Sequence, residues 1–255
     1  MKIKDFYKLI DEYAPFALSD RLCKLEDMYD NSGILIDHDD DVRSVTFALD
    51  FSASSVAAAI DNGSGLLVTH HPAVYHPIKR IDGEYVKAIR AGVGVISAHL
   101  NLDCARRGTD QSFAEALGAV NARIVDEFGD CEGYGRVFSV DTDLSSFATA
   151  AKKNLKTECF VYGDKRARIK SVASFCGAGL SGDYIDKVDA DLYCSADVPH
   201  HVISYALSKG RSLISFTHYG SENIGMINLY KHFCDLPIIK KEKIELYMFN
   251  DGELF

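Results

Sequence analysis

Leu66-Leu67-Val68-Thr69-His70-His71-Pro72 is the stretch on which the fold turns. Leu66, Leu67 and Val68 form a short apolar run of the kind shown by a strand buried on both faces. Pro72, which cannot donate to a ladder, stops it. Neighbouring side chains of a strand point to opposite faces, so His70 and His71 can serve one pocket only where the chain leaves the strand, and Pro72 marks such a departure. Open α/β sheets gather their ligand sites at C-terminal strand ends of this kind. Two solvated loop histidines would give the same letters, and this stretch alone leaves both readings open.

Outward from it, strand and helix signals alternate. Ile3, Phe6, Tyr7, Ile10 and Tyr13 recur at helical spacing until Pro15. A strand is expected over 45–49, and Ser52 is placed to cap a helix through Val56 and Ile60 to Asn62-Gly63. After the histidines come a helix over 84–91, a strand over 93–97 and a helix over 111–117 that stops at Gly118. The second half repeats the rhythm: a strand near Val137, a helix over 144–154, and strands over 159–162, 169–175 and 192–195. A helix after Pro199, a strand over 212–216, a helix after Ser221 and a strand over 244–249 follow. This alternation predicts an α/β protein of two similar halves, with mostly parallel sheets covered by helices. The least structured segment, 129–135, sets the expected boundary: an N-terminal half over 1–128 and a C-terminal half over 129–255, with a metal site between them.

Composition narrows the class. A formal net charge of -9 argues against a nucleic-acid partner, because neutralising phosphates takes a basic surface. No stretch approaches the roughly 20 apolar residues of a membrane span, so no membrane role is expected. The first ten residues carry no signal-peptide pattern. Seven cysteines at irregular spacing, with no CxxC, suit reduced thiols in a cytoplasm better than a disulfide framework.

Three more residues join the histidine pair. Asp103 ends a second strand-to-loop segment; by itself such an Asp is more often a turn or cap residue. His218 stands in the loop just past the strand over 212–216, and Glu222 falls in the first turn of the helix that follows, where it could instead face the helix dipole. Taken together, His70, His71, Asp103, His218 and Glu222 are three imidazoles and two carboxylates at the ends of separate strands. That nitrogen–oxygen set suits Zn, Fe or Mn over Ca or Mg. Five ligands exceed the usual protein share of one catalytic zinc and point to two divalent cations about 3.5–4 Å apart, with Glu222 as the candidate bridge. His99, four residues before Asp103, could shuttle a proton or serve structure. His200-His201 could line the same pocket, and His76 lies in a basic patch with Lys79 and Arg80, while His38 and His232 read as surface residues. Gly177-Ala178-Gly179-Leu180-Ser181-Gly182 fits a dinucleotide-binding fingerprint, with Asp197 at the matching distance. The acidic segment after it is too short and wrongly charged for that role.

Asp30-Asn31-Ser32-Gly33, Val68-Thr69-His70-His71-Pro72, Ser97-Ala98-His99-Leu100-Asn101-Leu102-Asp103 and His218-Tyr219-Gly220-Ser221-Glu222 follow one another along the chain. In types and order they resemble the signature blocks of the GTP cyclohydrolase 1 type 2 homologues, the Nif3-like proteins. The stretch from Gly108-Thr109-Asp110 to Ala116-Leu117-Gly118 is similar to that family's next helix. Two departures are Tyr29, where Trp is frequent, and Cys194-Ser195-Ala196-Asp197, which lacks the usual Gly. The resemblance implies a dinuclear metal centre on His70, His71, Asp103, His218 and Glu222, and a toroidal homohexamer. It also implies a metal-dependent hydrolase of a small molecule, with a nucleotide as the candidate substrate and ring-opening hydrolysis of GTP as the named reaction. Phosphoester hydrolysis and non-catalytic metal binding are the alternatives that the residues leave open.

Overall fold

In the computed structural model, which describes residues 1–252, the run that ends at His70 is a strand buried at every position. The chain passes through α1 (Ile3–Tyr13), α2 (Ala17–Glu26), β1 (Gly33–Ile36), β2 (Ser44–Ala48), α3 (Ala53–Asp61), β3 (Leu66–Thr69), α4 (Gly83–Ala91), β4 (Gly94–Ser97) and α5 (Leu100–Cys104). It continues through α6 (Thr109–Ala116), β5 (Arg123–Gly129), β6 (Glu132–Asp143), α7 (Leu144–Leu155), β7 (Cys159–Tyr162), β8 (Arg168–Ser174) and α8 (Gly182–Lys187). Last come β9 (Leu192–Ala196), α9 (His200–Ser208), β10 (Ser212–Phe216), α10 (His218–Asp235), α11 (Pro237–Glu242) and β11 (Glu245–Met248). Two units result: Met1–Arg107 with Met226–Gly252, and Gly108–Gly225.

The first unit is built on a sheet in the order β1-β4-β3-β2-β11. The four strands from β4 to β11 run parallel, and β1 closes the edge antiparallel to β4. Alternate residues of the apolar strands serve opposite faces. Ala48, Leu67 and Val95 pack with Val56 and Ala59 of α3 and Ala88 of α4. Phe47, on the other side, meets the ring of Phe233 at 5.4 Å, and Phe6 of α1 stacks on that ring at 6.4 Å. Each such fully buried side chain contributes about 1.5–3 kcal/mol of transfer free energy. Ser52 caps α3, its hydroxyl accepting from the Ser55 N–H at 3.1 Å.

The second unit holds a six-stranded sheet, β5-β6-β8-β9-β10-β7. Here the parallel expectation is met only by β8, β9 and β10; β5–β6, β6–β8 and β10–β7 are antiparallel. Over both sheets, five of the nine pairings among the described residues are parallel. The segment 129–135, expected as an unstructured boundary, forms the turn of the β5–β6 hairpin and lies inside this unit. Asp130 and Cys131 have φ of 53° and 62°, the paired left-handed residues that suit the twist of a tight hairpin. Its glycines answer to close approach: a Cβ on Gly133 would lie 2.0 Å from the Asp126 carbonyl oxygen. Beneath the hairpin, fully buried Arg136 pairs with Asp110 at 2.9 Å and donates to the carbonyls of Gly133 and Gly135. No helix among the described residues is long and apolar enough to cross a membrane.

Candidate metal centre

His70 and His71 follow β3 directly, and their backbone N–H groups both donate to the Leu49 carbonyl, at 3.1 and 3.0 Å. Two successive donors on one acceptor break the strand alternation, so neighbouring imidazoles come together with ring centroids 5.0 Å apart. The Nδ1–H of His70, a fully buried ring, donates to the Ala98 carbonyl at 2.8 Å. That of His71 donates to the Asp50 carboxylate at 2.6 Å. Asp251 in turn accepts from the backbone N–H groups of Leu49 and Asp50, at 2.7 and 3.3 Å, and so holds the loop that carries Asp50.

His99 stands just past β4, its own N–H bound to the Ser32 hydroxyl and its Nδ1–H donated to Asp30 at 2.8 Å. Burial pushes the Asp30 carboxyl up. The His99 imidazole and the Ser32 and Ser19 hydroxyls outweigh burial and hold its pKa at about 2. Asp103, on the short helix α5, is buried, and its Oδ1 lies 3.5 Å from Nε2 of His70. One ligand atom from each of His70, His71 and His99 lies within 4.8 Å of the other two.

In the second unit, His218 opens α10 rather than ending a loop before it, so His218 and Glu222 are one helical turn apart. Nε2 of His218 is 3.0 Å from Oε2 of buried Glu222, and its Nδ1–H donates to Asp197 at 2.7 Å. Asp197 takes the left-handed backbone itself (φ 47°), the conformation that Asp tolerates best after Gly and Asn. The turn lacking the family's Gly is therefore built without it. Gly177 also has positive φ (56°), and its N–H donates to the Ser221 hydroxyl at 3.0 Å. The glycines of the Gly-rich turn serve packing: Gly177 lies against Glu222, and a Cβ on Gly179 would fall 1.7 Å from the Tyr134 hydroxyl oxygen. Helix α8, which follows, has six residues.

The remaining histidines have local roles. His200 meets Ser204 at 3.4 Å, and both His200 and His201 are exposed on α9. His76 is exposed and packs on the Tyr75 ring. His38, read as a surface residue, bonds the Gly65 carbonyl through Nε2 at 2.9 Å. His232 packs against Tyr13 at 4.6 Å. The orienting carboxylates of the site went unread: Asp50 has no motif, and Asp30 was visible only as the first letter of a signature block.

The donor chemistry fits a cation. An acceptor oxygen opposite Nδ1 of His70, His71 and His99 places a proton on each Nδ1 and turns Nε2 to the other side of the ring, while His218 holds Asp197 at Nδ1 and Glu222 at Nε2. Imidazoles held to carboxylates or carbonyls in this way are the usual arrangement of metal-binding histidines. Near His70, Nε2 lies 3.5 Å from the Asp103 carboxylate, both side chains being buried, a nitrogen–oxygen pair of the kind that suits a cation.

Known proteins resemble the chain over nearly its whole length. It is 30% identical over 248 residues to a GTP cyclohydrolase 1 type 2 homolog of Campylobacter jejuni, covering 93% of this chain and 94% of that one. A protein of the same name from Methanocaldococcus jannaschii is 29% identical over 252 residues, covering 94% and 98%. Among solved structures, reduced HcgD from Methanocaldococcus jannaschii superposes with a TM-score of 0.81 at 27% identity, over 98% of each chain. Staphylococcus aureus hypothetical protein SA1388 shares the fold, with a TM-score of 0.87 at 24% identity over 100% of this chain and 99% of that one. The family model of Duf34/NIF3 (NGG1p interacting factor 3) matches residues 1–250, and the chain belongs to that family.

Proposed function

We propose that the protein is a hydrolase using two divalent cations, with His70, His71, Asp103, His218 and Glu222 as their ligands. The observation that carries this reading is the orientation of the histidines, each with Nδ1 against an oxygen, while Nε2 of His70 and of His218 is turned to a carboxylate, 3.5 Å from Asp103 and 3.0 Å from Glu222. A bound pair of such cations supplies Lewis acidity, which lowers the pKa of a water and polarises the bond to be cut.

The protein residues do the rest. Asp50, Asp30 and Asp197 keep the imidazoles in one orientation, so little reorganisation is needed when substrate arrives. Glu222, a carboxylate with two oxygens, can face both cations. Nε2 of His99 can take either a proton or a cation.

The substrate we propose is a small molecule, with a nucleotide first; the name carried by the relatives suggests ring-opening hydrolysis of GTP. We further propose action in the cytoplasm, where the seven free cysteines would stay reduced, and assembly as a homohexamer. Elemental analysis of purified protein, joined to a hydrolysis screen over nucleotides and phosphoesters, tests the reading. Two equivalents of Zn, Fe or Mn, with turnover lost on chelation and on Glu222→Gln, are expected. Bound metal without turnover on any substrate would leave a metal-binding protein and overturn the hydrolase.

A further inference from the structure

The Leu49–Asp50 peptide group, just past β2, is held at both ends. Its carbonyl oxygen accepts from the backbone N–H groups of His70 and His71, at 3.1 and 3.0 Å. Its N–H, that of Asp50, donates to Oδ1 of Asp251 at 3.3 Å, and the Leu49 N–H donates to Oδ2 at 2.7 Å. We propose that Asp251, on the segment after β11, is a positioning residue that sets the place of the histidine pair through this one peptide group. For its effect on cation binding this rests on the metal-centre reading above; the geometry stands without it.

A peptide group is planar and rigid, so fixing the direction of its N–H fixes that of its C=O. A charged acceptor makes the stronger hydrogen bond, and a peptide group polarised at its N–H accepts better at its oxygen. The Asp251 carboxylate therefore strengthens the two bonds by which the Leu49 carbonyl turns the chain at His70 and His71. The same grip places the Asp50 side chain, which takes the Nδ1–H of His71 at 2.6 Å. Backbone and side chain thus give Asp251 two routes to the pair, and all these residues belong to the first unit.

Strand β11 brings Asp251 to that place. Leu246 and Met248 lie opposite Val45 and Phe47, and the Phe249 N–H donates to the Phe47 carbonyl at 2.8 Å. The second unit holds a comparison. Asp191 makes a clamp of the same kind, accepting from the N–H groups of Lys170 and Ser171 at 2.9 and 3.0 Å. It grips β8, which carries none of the five proposed ligands. A structural clamp and a positioning clamp can therefore be told apart within one chain.

Amide hydrogen exchange on the metal-free, full-length protein tests the geometry, and cobalt(II) titration of the same proteins tests its consequence. In Asp251→Ala the His70 and His71 amides should exchange at least about tenfold faster. The Gly94 amide, bound to the Gly65 carbonyl at the other end of β3 and β4, should keep its rate within about twofold. Cobalt affinity should fall about tenfold. Asp191→Asn should lower the urea midpoint at neutral pH yet leave both histidine amides and cobalt affinity as they were. If Asp251→Ala unfolds, Asp251→Asn, which keeps one acceptor oxygen, carries the same comparison. Histidine amides that keep their rates, or that rise only in step with Gly94, overturn the proposal, as does unchanged cobalt affinity. A wild type that binds no cobalt ends the metal-centre reading instead, and the exchange rates then decide the positioning role by themselves.

Discussion

Gly177 lies directly against the carboxylate of Glu222: a Cβ on Gly177 would sit 2.2 Å from Oε1 and 3.5 Å from Cε1 of His218. The residue also has a φ of 56°, which costs an L-residue about 1 kcal/mol or more. Gly177→Ala should therefore push Glu222 off its position. Cation affinity measured by calorimetry should fall by about tenfold or more, while far-UV circular dichroism stays near wild type. Unchanged affinity would mean that Glu222 is not a ligand.

Asp50 touches the proposed centre through Nδ1 of His71. Asp50→Ala frees that ring to rotate and to change tautomer. Loss of such an orienting partner typically costs about 10- to 100-fold in metal affinity. A competition titration against a chromophoric chelator measures this, and a loss below twofold would remove the orienting role.

Arg136 and Asp110 are both fully buried and meet at 2.9 Å, and Asp110 also accepts from the Cys176 N–H at 3.0 Å. Removing one partner leaves the other charge without compensation in a dry interior. Arg136→Met and Asp110→Asn should each destabilise the chain by about 3–5 kcal/mol. Urea unfolding reads the effect. The double variant should lose less than the two single losses combined, because it strands no charge.

Asp191 supplies the pH dependence. Burial pushes its carboxyl up, but backbone hydrogen bonds from Lys170 and Ser171, the Ser171 hydroxyl and the charge of Arg211 outweigh burial and hold it below the usual value of 3.8. A carboxylate held low stabilises the fold above its unfolded pKa, and that stability is lost as the pH falls through the folded pKa. Wild type should therefore be more stable than Asp191→Asn at neutral pH, and the gap should close below about pH 4. Urea midpoints measured for both proteins between pH 2 and 7 give the comparison.

Much of this was legible where local chemistry and tertiary need agree. Ser52 caps the helix it was expected to cap, and the apolar runs over 66–68 and 212–216 are buried strands. Elements whose reason lies elsewhere in the chain were missed. Strand β1 has a half-buried Gly-Ile-Leu-Ile pattern and exists because β4 offers an edge, Gly33 facing Ser97. The hairpin turn over 129–135 read as a linker because glycines that admit close approach look the same as glycines that admit freedom. Within the candidate site, side chains that carry a lone pair could be picked out by type. Asp50 could not, since an aspartate after a strand has many uses and only the fold puts it on His71.

The first unit is assembled from two lengths of chain that are distant in sequence. β11 pairs with β2, Glu245 opposite Ser44, and Asp251 binds Leu49, 202 residues away. At about 5–20 residues per second on the ribosome, β2 waits roughly ten to forty seconds for its neighbour. All that time its apolar edge stands open to strands from other nascent chains. The second unit, one unbroken stretch, can settle meanwhile. Biosynthesis therefore runs out of order: the first unit, begun first, is completed last, and yield in the cell should depend on chaperone cover of one strand edge.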